Sequence, residues 1–567
     1  MLALLAQFFA FLALVWALKR FTSKRDIDNI PGPEPESFFK GNLAQMFNAS
    51  SIGWEFNSML SERYGRVVRI WGMFGSKYLE IHDPKALHHI LVKDQVVYEE
   101  TSSFFASNTI MFGQGLLSTQ GEQHKKQRKM LNPVFSIAHM RNMDRDSHQE
   151  ELGSGYQRGR QIPNESRLRI VIISQVDILH WMSRAALEMI GQSGLGYSFD
   201  PLVEAIDKER CSSASPTTHK MSLEIQVLLP ILVKIGSPKF RRWCVDHFPS
   251  KRLRAIRDII DIWDRTTTEI FEEKKKALKE GDEALAKQIG QAKDIMSILM
   301  KANMNASEED KLPDKEVLGQ SEKIIRTFAF AATDTTSNAL SRTLHLLALH
   351  PEAQERLRAE VTEARKSHDG DIPYDDLVSL PFMDAVCRET LRLQVVQKLL
   401  TSQSLILHLL AMLRCQRARK DILLPLSTPI KGIDGREMDS ILVPKNTEIF
   451  IAILNANRDP LLWGPDSLEW KPERWLAPIP EATTLICLGS THICYLTFLG
   501  GGRACIGFKF SQLEMKVVLS TLISQFRFYP PEKEIVWQNS GITNPTLKDF
   551  PEIPQLPLMM ELVNAKA

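Results

Sequence analysis

Cys505 stands in the run FLGGGRACIGF, residues 498–508, with Phe498, Gly501, Arg503 and Gly507 spaced around it. Glycines let a backbone approach a group closely and turn its amides toward a sulfur. The apolar helical pattern FKFSQLEMKVVLSTLI follows, so the sulfur stands at a helix N-terminus, which favours an anion. A thiolate is the form of cysteine that ligates metals. The plainer reading of these residues is a glycine-rich turn before a helix, with a buried cysteine. Cys487, His492 and Cys494 lie nearby and with Cys505 form a rival zinc set, although their spacing fits no standard knuckle.

Three other groupings carry polar residues where an apolar chain needs a reason for them. Ala331–Thr336 (AATDTT) places Asp334 and Thr335 in the middle of the apolar stretch IIRTFAFAATDTTSNALSRTLHLLALH. In CRETLR, Glu389 and Arg392 are three apart and share a helix face, and KPERW adds Arg474 downstream. In GEQHKKQRKMLNPVF, His124 and Arg128 are four apart, again on one face. Each has a plainer reading alone: helix-bending threonines with a cap-like aspartate, a Glu–Arg pair such as any surface helix carries, and a solvated helix histidine.

The elements that must position these residues are mostly helices. Residues 351–365, PEAQERLRAEVTEAR, form a polar helix with proline in its first turn. Residues 66–70 and 78–81 read as two strands of a small sheet, and strand character returns at 441–453. The charged stretch 272–288 is a solvated loop or helix face. Ahead of all this, Met1–Leu18 is apolar except for Gln7, and at ~1.5 Å per residue spans roughly 27 Å. Trp16 suits the interface, and Lys19, Arg20, Lys24 and Arg25 hold the following side in the cytosol. A cleaved signal peptide wants positive charge before the apolar run and a small-residue cleavage site after it, and neither is present. Residues 19–36 form a basic, proline-rich linker in which Pro31, Pro33 and Pro35 stop any helix.

Composition narrows the class. The 567 residues carry 70 basic and 68 acidic side chains, a net charge of +2, which excludes nucleic-acid binding driven by bulk charge. With 44% hydrophobic and 24% charged residues the chain is not disordered and can bury a large core. Seven scattered cysteines do not make a disulfide framework.

Taken in order, the four motifs resemble those of the cytochrome P450 family, from about residue 30 to the end. The resemblance implies a fold mainly α with a minor β-sheet over residues 37–567, a heme domain, preceded by one transmembrane helix at 1–18. It implies heme b (iron protoporphyrin IX) with Cys505 as the iron ligand, the thiolate pushing electron density that favours O–O cleavage. Phe498 then shields the sulfur, Gly501 and Gly507 shape the loop, and Arg503, Arg128 and His124 reach the heme propionates. His124 stands where the family usually has tryptophan. Asp334 and Thr335 manage oxygen and protons, with Ala332 where glycine is usual. Glu389, Arg392 and Arg474 form a buried structural network.

The implied reaction is oxidation of a small apolar substrate with O2, in the manner of fungal microsomal members that tailor terpenoids. GQSGLGYSFDPL at 191–202 carries the lineage likeness. Phe104, Phe105, Met111 and Phe112 in Thr101–Leu117 would roof the substrate or simply fill the core. No nucleotide or flavin motif is present, so electrons are expected from NADPH through a separate cytochrome P450 reductase. It would dock near Lys125, Lys126, Arg128 and Lys129, at the endoplasmic reticulum membrane, cytosolic side. Two stretches depart from the family. At 394–415 the usual prolines are replaced by an apolar insertion, leaving Arg414 or Arg417 as a propionate partner, and 483–497 is unlike its family counterpart. Retained intron sequence or a local frame error would explain either, and transcript sequencing across both decides it. Two rival functions remain: a rearranging or dehydrating relative that needs no external electrons, and a membrane protein disabled by these insertions.

Overall fold

The computed structural model describes residues 26–48, 50–137, 140–141, 174–195, 197–199, 232–280, 314–368, 371–393, 415–479, 496–538 and 543–563. The apolar run 1–18, Arg414, most of the two atypical stretches, and Cys487, His492 and Cys494 lie outside them. Among the described residues no helix is long and apolar enough to cross a membrane.

The helices that position the motifs are α1 Ser102–Phe112, α2 Gly121–Leu131, α3 Ile178–Met189, α4 Asp314–Leu349, α5 Pro351–Lys366, α6 Pro381–Leu393 and α7 Phe508–Gln525. Their ends follow local chemistry. The Thr101 side chain accepts from the Phe104 amide and caps α1, and Pro351 opens α5 where a missing amide proton costs nothing. With 36 residues, α4 is about 54 Å long at 1.5 Å per residue. It packs against α3, α5, α6 and α7, so it is the axis on which the helical part is assembled. Leu344, Leu347, Leu357, Val386, Leu391 and Leu519 meet there in one continuous apolar core.

The main sheet has five strands: β1 Val67–Trp71, β2 Lys77–Ile81, β3 Tyr98–Glu100, β4 Cys415–Ala418 and β5 Glu448–Ile451. Their order is β1-β2-β5-β4-β3. β1 and β2 are antiparallel, with Val67 opposite Ile81, while β2 runs parallel to β5. The two early strands therefore lie where residues 66–70 and 78–81 are expected, and β3 delivers Glu100 to the molecule's interior (1% exposed). A smaller core of Phe47, Leu60, Val68, Ile70 and Phe450 covers one side of this sheet. The proline-rich stretch lies against its edge strand: Ile27 and Ile30 are buried, and the Arg69 amide donates to the Pro31 carbonyl at 3.0 Å. The charged stretch expected as a loop or solvated face begins within a helix, Lys251–Glu280.

Candidate active site

The Cys505 loop is tied down by its own backbone. The Cys505 amide donates to the Phe498 carbonyl at 2.9 Å, the Ala504 amide to Gly501 at 3.1 Å, and the Gly502 amide to Gln95 Oε1 at 3.0 Å. Gly501 has φ +68, and a Cβ there would lie 1.8 Å from the Leu91 carbonyl oxygen, so both the turn and the close approach require glycine. Gly501 faces that strap of chain and is not part of the cavity wall, whereas Gly507 is. The rings of Phe498 and Phe508 meet edge to face at 4.7 Å beside the sulfur.

Cys505 presents an open surface although protein surrounds it, because its free side is an interior cavity. That cavity holds about 1410 Å³ of atom-free space, its open mouth included. Its wall is mostly apolar, with Phe104, Leu116, Phe328, Phe330 and Leu391 among the contributors. Burial pushes the Cys505 thiol up, while the Gly507 amide and the Arg128 guanidinium pull the other way. Alone, then, the loop does not make a thiolate. The helix terminus and glycines only moderate the cost of burial, and a bound cation is what deprotonates a coordinating thiol.

Three basic side chains line the same cavity. His124 and Arg128 come from the inward face of α2, as their spacing requires, while Lys125, Lys126 and Lys129 stay exposed. Arg128 reaches across to donate to the Ala504 carbonyl at 2.7 Å. Arg503 donates to the Thr119 carbonyl at 2.9 Å, and its Nε lies 3.2 Å from Oε2 of Glu100. Burial and the two guanidiniums hold the His124 imidazole neutral, down to about 3. Among the described wall residues, two guanidiniums thus face one carboxylate, Glu100. The excess positive charge beside a cysteine open to an apolar cavity fits a porphyrin, which brings a metal for the sulfur, a hydrophobic disc for the cavity and two carboxylates for the bases. Arg417 is not among the wall residues; it pairs with Glu448 on the main sheet.

The α4 residues in the wall are Ala331, Ala332, Thr335, Thr336 and Ala339. This is one stripe of a 3.6-residue helix. Asp334, one position from Thr335, points about 100° away and is not in the wall, so the structure does not bring the expected acid–alcohol pair onto one surface. Asp334 is 8% exposed, and burial alone raises its carboxyl to about 7. The unfolded chain releases that proton near 3.8, the folded protein near 7, so stability falls as pH rises between those values and levels off above. Asp334→Asn should abolish that decline. In urea unfolding the variant should gain on the order of 2–4 kcal/mol over the parent at pH 8 and little at pH 4. Parallel pH profiles would assign the burden to another group.

The network of Glu389, Arg392 and Arg474 lies outside the cavity wall and is fully assembled. Glu389 and Arg392 are 0% exposed and joined by two bonds of 2.8 and 2.9 Å. Arg474 Nε adds a bond of 3.3 Å to Glu389, and the Trp475 indole and Lys471 amide also donate to it. Arg392 further donates to the carbonyls of Asn457 and Ser467, both at 2.7 Å. Asn457 Oδ1 accepts from the Leu496 amide at 2.8 Å, and the Thr497 hydroxyl donates to the Leu391 carbonyl at 2.6 Å. The chain entering the cysteine loop is thereby pinned to the end of α6.

Sequence reasoning missed Glu100, Asp466, Glu514 and Thr336. Asp466 holds Arg474 at 2.9 Å, and Arg474 and Lys471 pull its carboxyl down to about 2. Glu100 and Asp466 carry no local signal. Glu514 carries the same one as Asp334, an acid inside an apolar helix.

Comparison with known proteins agrees with this geometry. The family model described as cytochrome P450 matches residues 31–406 and 419–550, breaking within the atypical stretch after α6. Cytochrome P450 monooxygenase 91 of Postia placenta is 47% identical, covering 98% of each chain. A ganoderic acid synthetase of Ganoderma lucidum is 40% identical over 96% of this chain and 95% of its own. A P450 monooxygenase of Hericium erinaceus is 33% identical over 93% and 92%.

Proposed function

The chain belongs to the cytochrome P450 family of oxygen-incorporating oxidoreductases, and from that premise we propose that it is a membrane-anchored heme-thiolate monooxygenase acting on a small apolar metabolite. The observation that carries this reading is Cys505 opening into an apolar cavity whose wall also holds Thr335. Heme b bound there would supply the iron chemistry that activates dioxygen. Cys505 would be its ligand, Arg128, His124 and Arg503 would hold its carboxylates, and Phe498 would keep water from the sulfur. The Thr335 hydroxyl donates to the Ala331 carbonyl at 2.6 Å, which leaves its lone pairs for the cavity. Buried Asp334, neutral below about pH 7, is a proton reserve behind that wall. Phe104, Phe328 and Phe330 exclude water and favour a hydrophobic substrate.

The relative named for ganoderic acid synthesis supports a substrate from fungal secondary metabolism, terpenoid-like in character. The apolar run 1–18 and its basic flank support a single-pass anchor in the endoplasmic reticulum membrane, with the heme domain in the cytosol. Electrons come from NADPH through a separate reductase, which the exposed Lys125, Lys126 and Lys129 suit electrostatically. The test is reconstitution with a fungal NADPH–cytochrome P450 reductase under isotopically labelled dioxygen, screening terpenoid substrates. One labelled oxygen atom should enter the product and one should leave as water. Turnover that proceeds without NADPH would move the protein to the rearranging class.

A further inference from the structure

Glu100 ends β3 as part of the cavity wall, buried from solvent. From the cysteine loop it meets Arg503, whose Nε stands 3.2 Å from Glu100 Oε2. From α2, His124 and Arg128 share the wall with it. On β4, Gln416 stands opposite Glu100, and Arg417 is paired with Glu448. Just beyond β4, Arg419 donates to the Glu100 carbonyl at 3.2 Å and pairs with Glu99. Among the described residues, Arg503 is therefore the one cation in contact with the Glu100 carboxylate. That contact is an ion pair without a straight hydrogen bond, because no described donor is aligned on the buried Oε2. Burial raises the Glu100 carboxyl, and Arg503 pulls it back.

Arg503 is also one of the groups assigned above to a porphyrin carboxylate. A porphyrin brings two carboxylates to a wall that already holds Glu100, so three carboxylates meet two guanidiniums. His124 adds no charge, since burial and those guanidiniums hold it neutral. Carboxylates crowded into one buried site do not all ionise. We propose that Glu100 is a cofactor-holding residue: it takes up one proton when a dicarboxylate porphyrin enters and donates it, as a hydrogen bond, to the carboxylate that shares Arg503. Ionised, Glu100 offsets the Arg503 charge ahead of the cofactor. Protonated, it yields that guanidinium to the cofactor and adds a neutral donor beside it. Oε2, on which no described donor is aligned, is the atom that carries the proton. This inference rests on the heme reading of the cavity, and the probes below separate the two.

The test adds metal-free protoporphyrin IX to the cofactor-free full-length chain, which keeps the proton of the Cys505 thiol out of the count. Porphyrin fluorescence follows binding, and an indicator dye in weakly buffered solution at pH 7 follows protons. The parent should take up about one proton per porphyrin bound, and Glu100→Gln none. Binding raises the carboxyl's pKa, so affinity is greatest at low pH and is lost as pH rises. The parent's dissociation constant should climb by up to about tenfold per pH unit above neutrality, while that of Glu100→Gln stays level. The dimethyl ester of the same porphyrin, which has no carboxylates, should bind the parent without proton uptake. Should Glu100→Gln not fold, the contrast between acid and ester in the parent decides by itself. Porphyrin bound with no proton taken up, uptake that persists in Glu100→Gln, or uptake that vanishes in His124→Gln instead overturns the proposal and leaves the heme reading standing. Failure of every porphyrin to bind, hemin included, overturns both.

Discussion

Cys505→Ala should fold and lose its chemistry. The side chain faces the cavity rather than packed neighbours, so its removal opens no new void in the core. The loop's own bonds, from the Cys505 amide to Phe498 and from Arg128 to the Ala504 carbonyl, involve backbone that alanine retains. The unfolding free energy of the cofactor-free protein should change by no more than about 1 kcal/mol, and its helix content by circular dichroism should match the parent's. Oxygen insertion should be abolished, and any heme retained should lack the thiolate-type spectrum, since no other cysteine among the described residues lines the cavity. A variant that keeps parental turnover would remove Cys505 from the ligand role.

The opposite pattern is expected for Arg392→Ala. Here the lesion is structural, because the substitution removes the two-bond partner of a fully buried carboxylate, leaving Glu389 only the longer Arg474 contact as cationic support, and takes donors from the Asn457 and Ser467 carbonyls. Breaking a buried pair in this way costs on the order of 3–5 kcal/mol, a large part of a typical folding free energy of ~5–15 kcal/mol. Because Asn457 and Thr497 tie this network to the cysteine loop, the loop should loosen with it. The variant should melt well below the parent and purify with little heme, although no atom of the network lines the cavity. Arg392→Lys should fail similarly, since an ammonium cannot reproduce the fork that serves Glu389 and two carbonyls at once. A parental melting point together with full heme content in Arg392→Lys would contradict this role.

What could be read from the chain depended on how far apart its partners lie. The Cys505 loop is contiguous, so residue type and spacing were enough to mark it. His124 and Arg128 were legible because four residues make one helical turn, and the same rule shows why Asp334 does not share the wall with Thr335. Counting 331, 332, 335, 336 and 339 along α4 would have found Thr336 and set Asp334 aside. Glu514 was legible in principle as an acid in an apolar helix, but the cysteine motif beside it is the stronger signal. Glu100 was not legible. It meets Arg503 only because β3 and the loop converge from distant parts of the chain, and nothing around YEET announces that. The thiol's acidity was hidden for a related reason: the local helix and glycines are visible in sequence, whereas the surrounding protein that desolvates the sulfur is not.

The most direct measurement is the spectrum of the purified full-length chain, reduced and exposed to carbon monoxide. Sulfur ligation from Cys505 predicts a Soret band shifted strongly to the red, of the kind thiolate-bound heme gives and histidine-bound heme does not. A protein that binds no heme, or a reduced carbon monoxide band without that shift, would contradict it.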